Sequence, residues 1–328
     1  MKLPALFNPS NDMALAANLR QYTPPRHIQQ MEADLAGLSQ FWDEGPWGWS
    51  LATKQRYLRM GISECELPSD EWLTDLRCLS SREFGVSYYK TLSNLSLKGR
   101  GNSTNQERVI DEKSILLPCQ ARFVTSLSSL EFIILHSSLL ILKAPWSSSG
   151  RGNMVIENPD HNPDLSLMRR IEHIIKEQGG IVAEPFYADK TLDFAMEFQV
   201  TDTGSEFLGY SVFFADETGH YGGNMVASQE ELLKKIDLPT ELLDSLIQYH
   251  KKALEKLPYR GPVGIDMMRL SDGRIHPCVE VNFRMTMGLL ALLLYRKGIR
   301  DDQLLAGRTH QGFSAQIVDG LLSIACNK

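Results

Sequence analysis

The segments "VGIDMMRL" (Val263–Leu270) and "IHPCVEVNFR" (Ile275–Arg284) hold the densest group of residues able to do chemistry. Both read as strands, and "SDG" between them reads as a turn. Side chains two apart on a strand share a face, so Glu280, Asn282 and Arg284 point one way while Val279, Val281 and Phe283 point the other. A polar row backed by apolar residues is also what a solvated outer face looks like. Register weakens that plain reading. Asp266 and Glu280 lie symmetrically about Gly273, so an odd loop or a glycine bulge sets them opposite each other. A two-residue Asp272–Gly273 loop would instead pair Asp266 with Val279 and turn Glu280 to the other face. Facing carboxylates repel unless a cation lies between them. Asp, Glu and Asn are hard oxygen ligands suited to Mg²⁺, and Arg284 adds a fixed fork of donors for a phosphate or carboxylate.

A second group lies in "LLILKAPWSSSGRGN" (Leu139–Asn153), where an apolar run ends in Lys143 and small flexible residues follow. An oxygen-ligand magnesium site and a strand-end lysine with such a loop are the parts a nucleoside triphosphate needs. The metal neutralises the phosphates, the lysine adds a point charge, and backbone N–H groups of the loop cover them. GxxxxGK[ST] is absent and the lysine precedes the glycines, so this is no Walker loop. "GRGNMV" lacks the third glycine of a dinucleotide fingerprint. The earlier "GRGN" at Gly99–Asn102 has no apolar run before it and reads as a linker or surface loop.

These groups need a scaffold. At 328 residues the chain can bury a large core divided among two or three lobes. A net charge of −6 with no basic block argues against nonspecific nucleic-acid binding. Five dispersed cysteines fit reduced thiols and a cytoplasmic location, and Cys119 and Cys278 read as core residues. "MKLPALFNPS" is too short an apolar start for a signal peptide, and "MGLLALLLY" is about half a membrane span, so no membrane is expected. The first hundred residues read as a small α/β lobe with aromatic loops, with "NPSND" a turn capping a helix near Met13. Ser128 with Glu131 resembles a capping box ahead of a helix. "LSLMRRIEHIIKEQGG" is an amphipathic helix stopped by Gly179. "IVAEPFY" is a strand, and "TLDFAMEFQV" alternates Leu192, Phe194, Met196, Phe198 and Val200 on one face, with "EFLGYSVFF" its hairpin partner. The whole reads as α/β, with α+β lobes built on antiparallel sheets.

Lys143 with "SSSGRGN", then "VAEPFY", "LDFAMEF", and "GIDMM" ahead of "EVNFR", resemble in their order the ATP-grasp superfamily, over roughly Arg108 to Gly288. The resemblance implies an ATP-grasp fold with a smaller N-terminal α/β domain (1–106), a small lobe (107–182) and a C-terminal lobe with the metal site (183–328). It makes Lys143 a phosphate contact, with Ser148, Ser149, Gly150, Arg151 and Gly152 as the covering loop. Glu184 begins the inter-lobe hinge, whose backbone through Phe186 and Tyr187 reads adenine. Asp193 accepts from the ribose. Asp266, Glu280 and Asn282 hold Mg²⁺, as two ions bridged by Glu280, with Mn²⁺ as an alternative. Arg284 steadies the transferring phosphate. A second basic phosphate contact is expected before Lys143, with Arg108 the candidate and Lys113 its rival. "GHYGGN" resembles a substrate-side loop, which makes His220 a candidate contact or a plain surface histidine. The implied activity is an ATP-dependent, ADP-forming carboxylate–amine ligase acting through an acyl phosphate, on small-molecule carboxylate and amine substrates and as a homodimer. A small-molecule kinase and a non-catalytic nucleotide-binding protein are the alternatives.

Overall fold

The computed structural model of the chain describes residues 2–93, 116–137, 139–147, 152–157, 165–215, 221–308 and 310–327. Helices dominate the N-terminal part: α1 (Asn11–Ala17), α2 (Arg26–Asp34), α3 (Leu51–Arg59), α4 (Asp70–Leu79) and α5 (Arg82–Ser93). Strands β1 (Arg122–Val124), β2 (Leu139–Lys143), β3 (Asn153–Glu157) and β4 (Ile181–Pro185) follow, with α6 (Leu127–Leu135) and α7 (Leu165–Gln178) between them. These strands form an antiparallel sheet in the order β1-β4-β2-β3. The larger sheet has the order β10-β11-β12-β7-β6-β5-β8-β9. Its strands are β5 (Lys190–Thr201), β6 (Gly204–Ala215), β7 (Tyr221–Met225), β8 (Gly261–Leu270), β9 (Ile275–Asn282), β10 (Gln303–Gly307), β11 (Gly312–Val318) and β12 (Leu321–Asn327). Helices α8 (Gln229–Ile236), α9 (Thr240–Leu254) and α10 (Met287–Arg296) pack on it. Among the described residues no helix is long and apolar enough to cross a membrane.

Period-two alternation decides which face of the large sheet is dry. Phe194, Met196, Phe198 and Val200 of β5 are buried beside Val263, Ile265 and Met267 of β8, and α4, α5 and α9 close over them. The opposite face carries Ala195, Glu197, Gly264 and Asp266 in the same rows. Glu197 is buried there, accepting from Thr286 Oγ1 at 2.9 Å and Ser211 Oγ at 3.0 Å. Burial raises its carboxyl to about 7. Gly264 and Gly288 make the room: a Cβ on either would lie 2.9 Å and 2.2 Å, respectively, from a Glu197 oxygen.

Two local expectations change. The helix after β1 starts from Ser126, whose hydroxyl accepts from the Ser129 N–H at 3.3 Å, so Ser128 lies inside the first turn and does not cap it. Among the described residues the N-terminal part has helices and one bridge, Leu6 with Pro46, and no strand of the α/β lobe the sequence suggests. Its apolar residues have no sheet of their own to cover. Phe7, Leu35, Leu38, Trp42 and Trp47 pack instead with α10 and with Ala315, Ile317 and Leu322. Leu73, Leu76 and Leu92 join the core under β5 and β8.

Candidate active site

The β8–β9 hairpin places the carboxylates. Asp266 pairs with Glu280, Ile265 with Val281 and Gly264 with Asn282. The turn is a three-residue loop, Ser271–Gly273, closed by the Leu270 N–H donating to the Arg274 carbonyl at 2.8 Å, with Gly273 at φ 85°. That loop is centred on Asp272, and continued without a break it would set Cys278 opposite Asp266. The pairing instead jumps from Met268–His276 to Asp266–Glu280. Two additional β9 residues are taken up around Pro277, which has no N–H to give the ladder. An even number of extra residues keeps the face. The expected register is therefore reached by a bulge beside Pro277 and not by the turn.

Charge is concentrated at this point. Burial raises the Asp266 carboxyl well above its ordinary range, and the charges of Glu280 and Glu197 push it further, with Arg284 opposing. Asn282 Nδ2 donates to Asp266 Oδ2 at 3.0 Å. Arg82 lies 2.9 Å from Glu280 Oε1 and donates to Oε2 at 3.1 Å. Arg284 grips Asp12 with both edges of its fork, Nε to Oδ1 at 3.1 Å and Nη2 to Oδ2 at 2.9 Å. Burial disfavours the Arg284 charge, but Asp12, Glu280 and Asp266 more than offset this and hold it above its ordinary range. Among the described residues no three His, Cys, Asp or Glu side chains gather at one point. The protein's share of a cation site here is two facing carboxylates and an amide. That donor set fits Mg²⁺, whose shell is usually completed by water and phosphate oxygens, and a cation would relieve the Asp266–Glu280 repulsion.

Lys143 ends β2 and forms an ion pair with Glu184 on the neighbouring β4, both side chains being more than nine-tenths buried. Lys143, Val182 and Glu184 from the small sheet share a cleft of about 390 Å³ with Arg82, Tyr89 and Glu280. Phe186 and Tyr187 follow β4. The Phe186 N–H donates to the Leu139 carbonyl at 3.2 Å, and the Tyr187 ring stands edge-on to His276 at 6.0 Å. Burial, aided by the Lys143 charge, lowers His276 to about 3, so that ring is neutral. Asp193 pairs with Lys190, and burial raises its carboxyl while Lys190 and Lys143 oppose the shift. Gly152 is buried against Ser147 and Ala144. Ser148, Ser149, Gly150, Arg151, Arg108, Lys113 and His220 lie outside the described residues.

Two residues at the site escaped the sequence reading. Arg82, at the start of α5, donates to the Ala144 carbonyl at 2.7 Å and to Ser147, as well as to Glu280. Its Nε is buried with no hydrogen-bond partner among the described residues. A cation in the first turn of a helix opposes the helix dipole, and that anomaly was the available signal. Asp12 gave none, because an acid in the first turn of α1 is what the dipole favours.

Two antiparallel sheets with a charged cleft between them define the class: the chain has the ATP-grasp fold. It resembles the biotin carboxylase–β,γ-ATP complex of Campylobacter jejuni with a TM-score of 0.52 and 11% identity, over 86% of this chain and 71% of that one. It also resembles the L-amino acid ligase of Bacillus licheniformis, with a TM-score of 0.41 and 15% identity, over 73% of this chain and 47% of the other. In sequence it is similar to the [butirosin acyl-carrier protein]–L-glutamate ligase of Niallia circulans, 24% identical over 151 residues, which is 45% of this chain. The chain spans 33% of the length of that curated relative. No protein-family model matches it.

Proposed function

We propose that the protein is an ATP-dependent, ADP-forming ligase that joins a small-molecule carboxylate to an amine through an acyl phosphate. The observation that carries this reading is the pairing of Asp266 with Glu280 on one sheet face, with Lys143 lining the cleft that Glu280 also borders. β9 ends at Asn282, short of the Arg284 expected on the strand, and Arg284 follows in the bend two residues on. The name of the curated relative, a ligase of L-glutamate and an acyl-carrier protein, supports the same class.

Lys143 and Arg82 supply positive charge to the phosphates. Arg82 takes the role of second phosphate contact in this reading, because its fork already spans Ser147 and Glu280 at the cleft and its buried Nε has no partner among the described residues. Glu184 to Tyr187 border the adenine, and Asp193 accepts from the ribose. Asp266, Glu280 and Asn282 would hold Mg²⁺, as two ions, and Mn²⁺ has the same preference for oxygen ligands. The bound metal neutralises phosphate charge and orients the γ-phosphate. Residues 107–182 and 183–328 are then the lobes that hold ATP, and 1–106 completes the transfer site.

Arg284 steadies the γ-phosphoryl group as it passes to the carboxylate oxygen, breaking the bond to ADP. The amine then attacks the acyl carbon, phosphate leaves with the bonding pair, and the amine gives up a proton. There is little covalent work for the protein beyond positioning and charge stabilisation. Incubation with MgATP and pools of carboxylates and amines tests the reading. ADP, phosphate and a new amide mass are expected. ADP with a phosphorylated hydroxyl would make the protein a kinase, and no turnover would leave it a binder.

A further inference from the structure

Asp12 is a carboxylate that no step above uses, yet it holds Arg284, the arginine that the proposed mechanism assigns to the transferring phosphate. A guanidinium has five N–H donors. Two of those on Arg284 go to Asp12 and one goes to the Met285 carbonyl at 3.0 Å, so two have no partner among the described residues. The turn that leads into Asp12 and its short helix is tied down. Asn8 Nδ2 donates to the Gly48 carbonyl at 2.9 Å and to Thr53 Oγ1 at 3.1 Å. The Asn11 amide, oriented to satisfy both its ends, donates to the Gly48 and Trp49 carbonyls at 3.0 and 3.1 Å. Ser10 donates to Glu32 at 2.5 Å. The Gly48 loop is tied in turn to the arginine's own segment, since the Met285 N–H donates to the Trp47 carbonyl at 2.8 Å. Asp12 and Arg284 both border a pocket of about 310 Å³ that Glu280 and Asn282 also line.

We propose that Asp12 is the positioning residue for Arg284: it takes the Nε–Nη2 edge, fixes the guanidinium plane, and leaves the remaining donors for an incoming oxyanion. The N-terminal segment thereby becomes part of the transfer site. A free arginine side chain loses considerable rotamer entropy when it grips an anion, and Asp12 removes that cost in advance. This rests on the ligase reading only for the identity of the oxyanion.

The opposing role for Asp12 is plain Coulomb competition, in which its charge repels an incoming anion. The two roles differ in sign. Inorganic phosphate is the probe, titrated calorimetrically into the whole chain with and without MgADP. Positioning predicts that Asp12→Asn weakens phosphate binding about tenfold, although a negative charge has been removed. Asp12→Glu should restore binding to within about threefold, and MgADP affinity should be unchanged in both. In an Arg284→Lys background, Asp12→Asn should have no further effect. Equal or tighter phosphate binding by Asp12→Asn, or no phosphate binding by the wild type, overturns the proposal. A wild type that binds phosphate but not MgADP would instead fail the ligase reading and leave this one standing. Should Asp12→Asn not fold, the wild-type Arg284 Nε–H proton signal decides. It should persist unshifted when phosphate binds, and its loss would show that Asp12 had been displaced.

Discussion

Lys143 and Glu280 face the same cleft but are balanced in different ways. Lys143 is neutralised inside its own sheet by Glu184, one strand away. Glu280 faces a second carboxylate across its own hairpin, and its counter-charges arrive from far along the chain. Arg82 is 198 residues away, and Asp12 lies 272 residues from the Arg284 it holds. The first region is a buried ion pair in which loss of either partner strands the other charge. The second sets two carboxylates face to face, with Arg82 beside Glu280 and the Asn282 amide beside Asp266, all held in place by the fold. A cation would relieve the repulsion between them, and the proposed metal and phosphate site rests on that.

If this contrast is right, the largest effect belongs to Glu280→Gln. The replacement is isosteric and removes the repulsion with Asp266, but it also removes the charge paired with Arg82, so the two changes oppose each other and melting temperature measured in EDTA should change little. ATP turnover should fall roughly a thousandfold, about 4 kcal/mol at the transition state. Near-normal turnover would end the metal reading.

Lys143→Ala should behave in the opposite manner. It leaves the Glu184 charge buried and alone, which costs about 3–5 kcal/mol of folding stability before any ligand is considered. Urea unfolding measures that loss, and MgATP should then protect the variant little against heat. Retention of wild-type stability would show that Lys143 and Glu184 are not a buried ion pair.

Glu197 sharpens the comparison through pH. Its folded value of about 7 lies above the ordinary 4.5, so the folded state holds the extra proton. The stability this contributes is fully present below about pH 4.5 and is lost as pH rises through about 7. Relative to Glu197→Gln, the wild type should lose about 3 kcal/mol across that interval in metal-free buffer. Parallel stability curves for the two proteins would place Glu197 outside the buried charge group.

The smallest effect tests how the register is set. Gly273 sits at φ 85° with open space where a Cβ would go, so Gly273→Ala meets only backbone strain, about 1 kcal/mol. Turnover should not change, because the bulge beside Pro277 and not the turn aligns Asp266 with Glu280. A loss of turnover larger than the loss of stability would return that role to the turn.

Much of the scaffold was legible because strand and helix periods are local. The alternation in "LDFAMEFQV" gave β5 and its buried face, and the "LSLMRRIEHIIKEQ" pattern gave α7 with its stop at Gly179. The start of α6 was misplaced because several serines compete there for one cap, and only backbone geometry decides that Ser126 takes it. The facing of Asp266 and Glu280 was reached by counting, although the loop centre assumed in that count was one residue off. Parity survived because the bulge adds two residues.

The sequence by itself determined which residue types line each strand, which faces are apolar, and that carboxylates, an amide, an arginine and a lysine recur in an ordered set. Those features depend on backbone repeats of two and 3.6 residues, which any short window displays. Only the tertiary structure decided which charges meet. Arg82 with Glu280, and Asp12 with Arg284, join positions whose local sequence does not say which partner each will meet, although Arg82 is out of place at a helix start. Their contact depends on the N-terminal helices being drawn onto the large sheet by apolar burial, which is non-directional and does not register where a charge will land.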